Sequence, residues 1–148
     1  MNALPLSNDW TDLTELEGTE RVAEFARRLD VLAGAGEPTR QQALRELVTY
    51  VYDLPDEGVQ DMTAARVRAL LTLDQTAAHR VARSYDAVLD TMPAAIAMRR
   101  VALVQQVARD LSVEDRERLH ELEPGIVGAE PAAFLRDGVA GESVQRGS

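Results

Sequence analysis

The chain is predicted to be all-α, a compact bundle of five to seven helices followed by a flexible C-terminal tail. Two observations carry that prediction. Apolar residues recur at helical spacing along almost the whole sequence, and the alternating patterns and Asn-Gly or Asp-Gly turns of β-hairpins are missing between them. With 148 residues and 45% hydrophobic content, the chain is long enough to bury one proper core, so one domain is expected.

Residues 1–18 read as an arm with a short helix at about 12–17, whose Trp10, Leu13 and Leu16 can clip onto the core or onto a partner. Thr19 is placed to cap a helix running to Ala33, with Val22, Phe25, Ala26, Leu29 and Leu32 on one face. Gly34, Gly36 and Pro38 are expected to end it. Thr39 and Gln42 have capping-box spacing, and Ala43, Leu44, Leu47, Val48, Val51 and Leu54 form so wide a stripe that a central helix is expected there.

Pro55, Asp56 and Glu57 suit a first helical turn, because proline lacks the amide that would go unpaired and acids favour the positive helix end. Gly58 weakens that start, which puts the firm part of the helix at 63–72. Asp74 caps a helix that turns Ala78, Val81, Ala82, Tyr85, Val88 and Leu89 inward. Pro93 opens the most apolar helix of the chain, where Ala97, Val101, Val104, Ala108 and Leu111 form one row and Ile96, Leu103 and Val107 a second. That double row predicts a position at the centre of the bundle. Ser112 starts a last helix, which Glu123, Pro124 and Gly125 stop, so the helical domain is read as 19–124. Beyond it the composition shifts to Gly, Ala, Glu and Pro, with a short helix at 131–137 and a mobile tail from about 138.

FARRLDVL at 25–32 resembles VARSYDAV at 81–88, and ALRELVTYVYDL ending at Leu54 parallels RVALVQQVARDL ending at Leu111. Offsets of 56 and 57 residues suggest a duplicated two-helix unit, with residues 63–72 between the copies and a pseudo-two-fold axis relating them.

Composition removes several chemistries. There is no cysteine, and all 16 basic residues are arginine, so thiolate metal sites, cysteine nucleophiles, Schiff bases and P-loop lysines are absent. No GxSxG, HExxH or glycine-rich phosphate loop occurs, and no cofactor is expected. The net charge is −9, and it is uneven: −8 over residues 1–62, +3 over 63–111 and −4 over 112–148. Without a basic leader or a long apolar run, the expected protein is cytoplasmic and does not enter a membrane.

Three constellations remain. In a helix-turn-helix reading of residues 64–90, Gln75, Thr76, His79 and Arg80 face a DNA major groove, while Arg66, Arg83 and Arg99 meet phosphates. Arg68 stands where that motif wants a small residue, and Thr72 where its turn often needs glycine. Glu117 and His120 form an ExxH, which in di-metal helical bundles needs a second ExxH and two more glutamates; the only other histidine, His79, has Thr76 where the glutamate of a second motif should be. Finally, the apolar surplus at Ile96, Leu103 and Val107 and the lone Trp10 suggest a self-association surface. The expectation is a non-enzymatic protein–protein interaction or regulatory module, forming a homodimer; a DNA-binding regulator and a metal- or ligand-binding bundle are the alternatives.

Overall fold

The computed structural model describes residues 9–126, and among them the structure is all-helical. A 3-10 turn at Thr11–Glu15 leads into α1 (Gly18–Ala33), α2 (Glu37–Val51), α3 (Asp56–Thr72), α4 (Gln75–Leu89), α5 (Ala94–Arg109) and α6 (Val113–Leu122). The tail and the short helix expected at 131–137 lie outside the described residues. None of the described helices is long and apolar enough to cross a membrane.

Side-chain caps set the starts of α4 and α6. The Asp74 carboxylate accepts from the Ala77 amide at 2.8 Å and the Ser112 hydroxyl from the Asp115 amide at 3.1 Å, each satisfying an amide that the first helical turn leaves without a partner. Three expected starts move, that of α3 from 63 back to Asp56. α1 begins at Gly18, one residue ahead of the expected Thr19 cap, and Gly18 has φ +53°, a conformation other residues rarely adopt. Pro38 opens α2 instead of ending α1, because its fixed φ and missing N–H fit a first turn. Gly58 lies inside α3; a Cβ there would stand 3.2 Å from that of Leu54, so glycine lets the preceding chain pack close.

The six helices begin at positions 18, 37, 56, 75, 94 and 113, a constant step of 19 residues. Just before each N-cap stands an apolar residue: Leu16, Ala35, Leu54, Leu73, Met92 and Leu111. Three residues after each start is either an arginine or a small apolar residue. At Arg21, Arg40 and Arg116 the guanidinium turns back onto the end of the previous element. Arg21 donates to Leu13 O (2.9 Å) and Leu16 O (2.5 Å), Arg40 to Leu32 O (3.4 Å) and Ala35 O (2.6 Å), and Arg116 to Ala108 O and Leu111 O (both 3.2 Å). Val59, Ala78 and Ala97 occupy the same place in α3, α4 and α5, the position at which a hydrophobic staple would close on the residue before the cap.

Packing follows the same order. α1 and α3 pack together, as do α2 and α4, α3 and α5, and α4 and α6, with α1 also against α4 and α3 against α6. Two rows result, α1–α3–α5 and α2–α4–α6, the organisation of a short helical solenoid. The 57-residue offset seen in the sequence is thus three helical steps, and it relates helices in opposite rows. A single helix with its turn is the repeating element, and α3 belongs to the series instead of separating two copies.

The row arrangement also relocates the centre. α3 touches all the other helices and buries Val59, Met62, Ala65, Val67, Ala69 and Leu70, whereas its apolar and small residues are spread around the helix instead of forming one stripe. A helix surrounded on several sides has that pattern, which is why a search for one apolar face undervalued it. α5, expected at the centre, ends its row: Ala94, Ala95, Met98 and Ala102 are exposed. The expected Val104, Leu103, Val107 and Ala108 are buried, all toward α3 and its neighbours.

Candidate functional site

The five residues of the helix-turn-helix reading come together. Gln75, Thr76, His79, Arg80 and Arg83, all from the first turns of α4, line an open cleft of about 380 Å³ whose opposite wall is Glu37 and Arg40 of α2. α4 presents them because Ala77, Ala78, Val81, Ala82 and Tyr85 are buried, leaving the 75, 76, 79, 80 and 83 positions on the outer face.

The α2 wall is tightly organised. Arg40 is buried, and its Nε donates to Ser84 Oγ at 2.8 Å while Nη2 donates to Glu37 Oε1 at 2.5 Å. Glu37 Oε2 accepts from Ser84 Oγ (3.0 Å) and from Gln41 Nε2 (2.6 Å). The Gln41 hydrogen bond, with further ones from Ser84 and Arg40 and the charge of Arg40, outweighs burial and holds the Glu37 carboxyl below the usual carboxylate range. This wall is therefore preformed, with its charges matched. The α4 wall is looser: Arg80 Nη1 donates to Ala33 O at 3.3 Å, the Gln75 amide lies 3.5 Å from His79 Nε2, and Arg83 is exposed. Three arginines against one glutamate leave the cleft positive, on a chain that is negative overall.

The rest of the DNA-reading geometry is absent. Arg66, expected on a phosphate, is buried in the core, and Arg99 pairs with Asp56 at 2.7 Å. α4 packs chiefly on α2 and only lightly on α3. The α3–α4 connection is two extended residues, Leu73 (φ −78°, ψ 158°) and Asp74 (φ −68°, ψ 166°). No positive φ is required there, so Thr72 does not strain it.

The expected self-association residues are in use within the chain. Trp10 is 2% exposed, 5.9 Å from the Phe25 ring, and donates from Nε1 to Ala43 O at 3.2 Å. Leu103 and Val107 are buried, their edges forming one wall of a cleft of about 170 Å³ between α3 and α5, and Ile96 is half-buried against the main core. On α6, Glu117 is exposed and His120 half-buried, and among the described residues no group of three or more metal-ligating side chains comes together.

A second cluster went unread in the sequence. Arg66 of α3, Arg100 of α5 and Glu123, just past α6, meet beneath Tyr85, all of them buried. Glu123 Oε2 lies 3.3 Å from Arg66 Nη1 and Oε1 lies 3.1 Å from Arg100 Nη2, which is also 2.7 Å from Asp86 Oδ1. The Arg66 and Arg100 guanidinium carbons sit 4.1 and 5.1 Å from the Tyr85 ring centroid. Burial alone would raise the Glu123 carboxyl, but the two guanidiniums overcome it and hold it below the ordinary range. Tyr52, also beside the cluster, has its phenol pushed upward, chiefly by burial. The geometry is good for charge and poorer for hydrogen bonding: Arg66 Nη2, Arg100 Nε and Nη2, and Glu123 Oε1 make no aligned hydrogen bond within the described residues. The cluster locks the end of α6 onto α3, α4 and α5. Its one sequence sign is an arginine at a position otherwise surrounded by Met62, Ala65, Val67, Ala69 and Leu70.

No protein-family model matches the chain, and neither does any curated protein or solved structure.

Proposed function

We propose that the chain is a non-catalytic protein–protein interaction module, a short stack of helices whose α2/α4 cleft receives an acidic segment of a protein partner. The observation that carries this reading is the cleft itself: Arg80 and Arg83 on a loose wall, opposite a rigid wall where Arg40 is already neutralised by Glu37. Loose arginines beside fixed polar groups suit carboxylates, which guanidinium binds through paired hydrogen bonds. The one hydroxyl that touches a carboxylate here, Ser84 on Glu37, is buried and already engaged by Arg40, an arrangement that supports binding over catalysis.

Duplex DNA is the second reading, favoured by the convergence of Gln75, Thr76, His79, Arg80 and Arg83 on one surface. Against it stand the burial of Arg66 and the Arg99–Asp56 pair, which take away two of the three expected phosphate contacts. The two are separated by measuring binding of a fluorescent oligoglutamate peptide and of a 20-bp duplex to the intact protein and to an Arg80→Glu, Arg83→Glu variant. Peptide binding should weaken about 10-fold or more in the variant, since each charged hydrogen bond is worth roughly 1.5–3 kcal/mol. Tighter binding of the duplex than of the peptide, or peptide binding that ignores both reversals, would overturn the reading. Sedimentation velocity at two concentrations then shows whether the acidic partner is a second copy of this chain.

A further inference from the structure

We propose that the exposed face of α5 is the docking surface for residues 131–137 of the same chain, in the place of a seventh helix in the series. The surface is the open end of the α1–α3–α5 row. α3 covers one side of α5, and on the other Ala94, Ala95, Met98 and Ala102 are exposed, with Met98 71% accessible. Every earlier member of that row has its other side covered by an element of the row, or, in α1, presents mainly polar residues such as Thr19, Glu20, Arg27 and Asp30.

The occupant is named by the period. Helices starting at 94 and 113 put the next start at 132, and Pro131-Ala132-Ala133-Phe134 repeats Pro93-Ala94-Ala95-Ile96 two steps later, as Pro55 stands two steps earlier. By the packing rule of the row, in which each helix packs on the one two steps along, a segment starting there belongs on α5. It also brings apolar side chains to an apolar face, through Ala132, Phe134 and Leu135.

The chain is already delivered to that face. Ile126 packs against the cluster of Val104, Val107, Ala108 and Leu111, and its carbonyl accepts from Gln105 Nε2 of α5 at 3.1 Å. From Ile126 to Pro131 the backbone can span up to about 17 Å, at roughly 3.3–3.6 Å per residue. The helical rise from Gln105 back to Ala94 is about 16 Å at 1.5 Å per residue. The whole exposed stripe is within reach.

Because the chain has no cysteine, an engineered pair reports contact directly. In the full-length protein carrying Met98→Cys and Phe134→Cys, mild oxidation should form an intramolecular disulfide at least about 10-fold faster than in a control pairing Thr49→Cys, exposed on α2, with Phe134→Cys. Equal rates in the two pairs overturn the proposal, as does a product consisting mainly of cross-linked dimers, which would assign the face to a second copy. In the chain without cysteines, Phe134→Ala should shift the Met98 methyl resonance at a concentration where the protein is monomeric; an unmoved resonance overturns the proposal independently of any effect of the cysteine at 134.

Discussion

The two ends of the helix stack are closed by different physics. At the N-terminal end the arm lies over α1 and α2: Trp10 and Leu13 are fully buried, Trp10 contacts Phe25, and Tyr50 donates to Thr14 at 3.3 Å. Arg28 adds pairs to Asp12 and Glu24, both at 2.7 Å. The seal there is mostly apolar. At the C-terminal end the chain after α6 is secured through a carboxylate between two arginines, with Glu123 1% exposed, while the outer face of α5 stays uncovered by any described residue. An apolar seal is insensitive to pH and forgiving of geometry, whereas a buried ion cluster is costly to assemble and unforgiving once one member is lost. The contrast predicts that the two ends fail under different conditions.

The largest effect is expected from Trp10→Ala, which removes the arm's anchor and should cost about 3–5 kcal/mol in urea unfolding, with faster hydrogen exchange in α1 and α2 than in α6. A variant losing less than about 1 kcal/mol would show that the arm contributes little. Glu123→Gln should cost about 3 kcal/mol, because the Arg66 guanidinium then remains buried without a counter-charge and Arg100 keeps only its pair with Asp86. Its exchange signature should be the reverse, with α6 opening first.

The acid response sharpens the same comparison. The Glu123 carboxyl is held below its unfolded value, so its contribution is fully present above about pH 4.5 and is lost as pH falls through the lower folded value. Glu24 at the other end is lowered to about 2, chiefly by its hydrogen bond to Arg27, and loses its contribution over the corresponding range. Amide exchange near pH 3 should nevertheless loosen α6 well before α1, since the arm keeps its apolar burial. Equal loosening of both ends would contradict the contrast. The smallest effect is reserved for Arg99→Ala, which breaks a surface pair with Asp56 and should change stability by less than about 0.5 kcal/mol.

Much of the fold was legible in the residues. The caps at Asp74 and Ser112, the proline before α5 and the all-α class were read directly, because each depends on groups within one turn of the chain. The 57-residue offset was also real as a phase, but it is a multiple of the true step. The shorter period was carried by single positions, the apolar residue before each cap and the arginines at 21, 40 and 116, which matching of whole segments passes over. The five residues from Gln75 to Arg83 line one cleft because helical spacing alone places them on one face. Their opposite wall was not foreseen, because Glu37 and Arg40 approach through the α2–α4 packing.

By itself, then, the sequence determined which segments are helical, where α4, α5 and α6 start, and which faces of α1, α2 and α4 turn inward, all consequences of local capping and of a 3.6-residue period. Only the tertiary structure decided that α3 is central and α5 peripheral, that Trp10 is an anchor within its own chain, and that Arg66 is a core residue. The physical reason is distance along the chain. Arg66 and Glu123 are 57 residues apart, and whether a guanidinium is solvated or buried depends on a counter-charge that only packing brings to it.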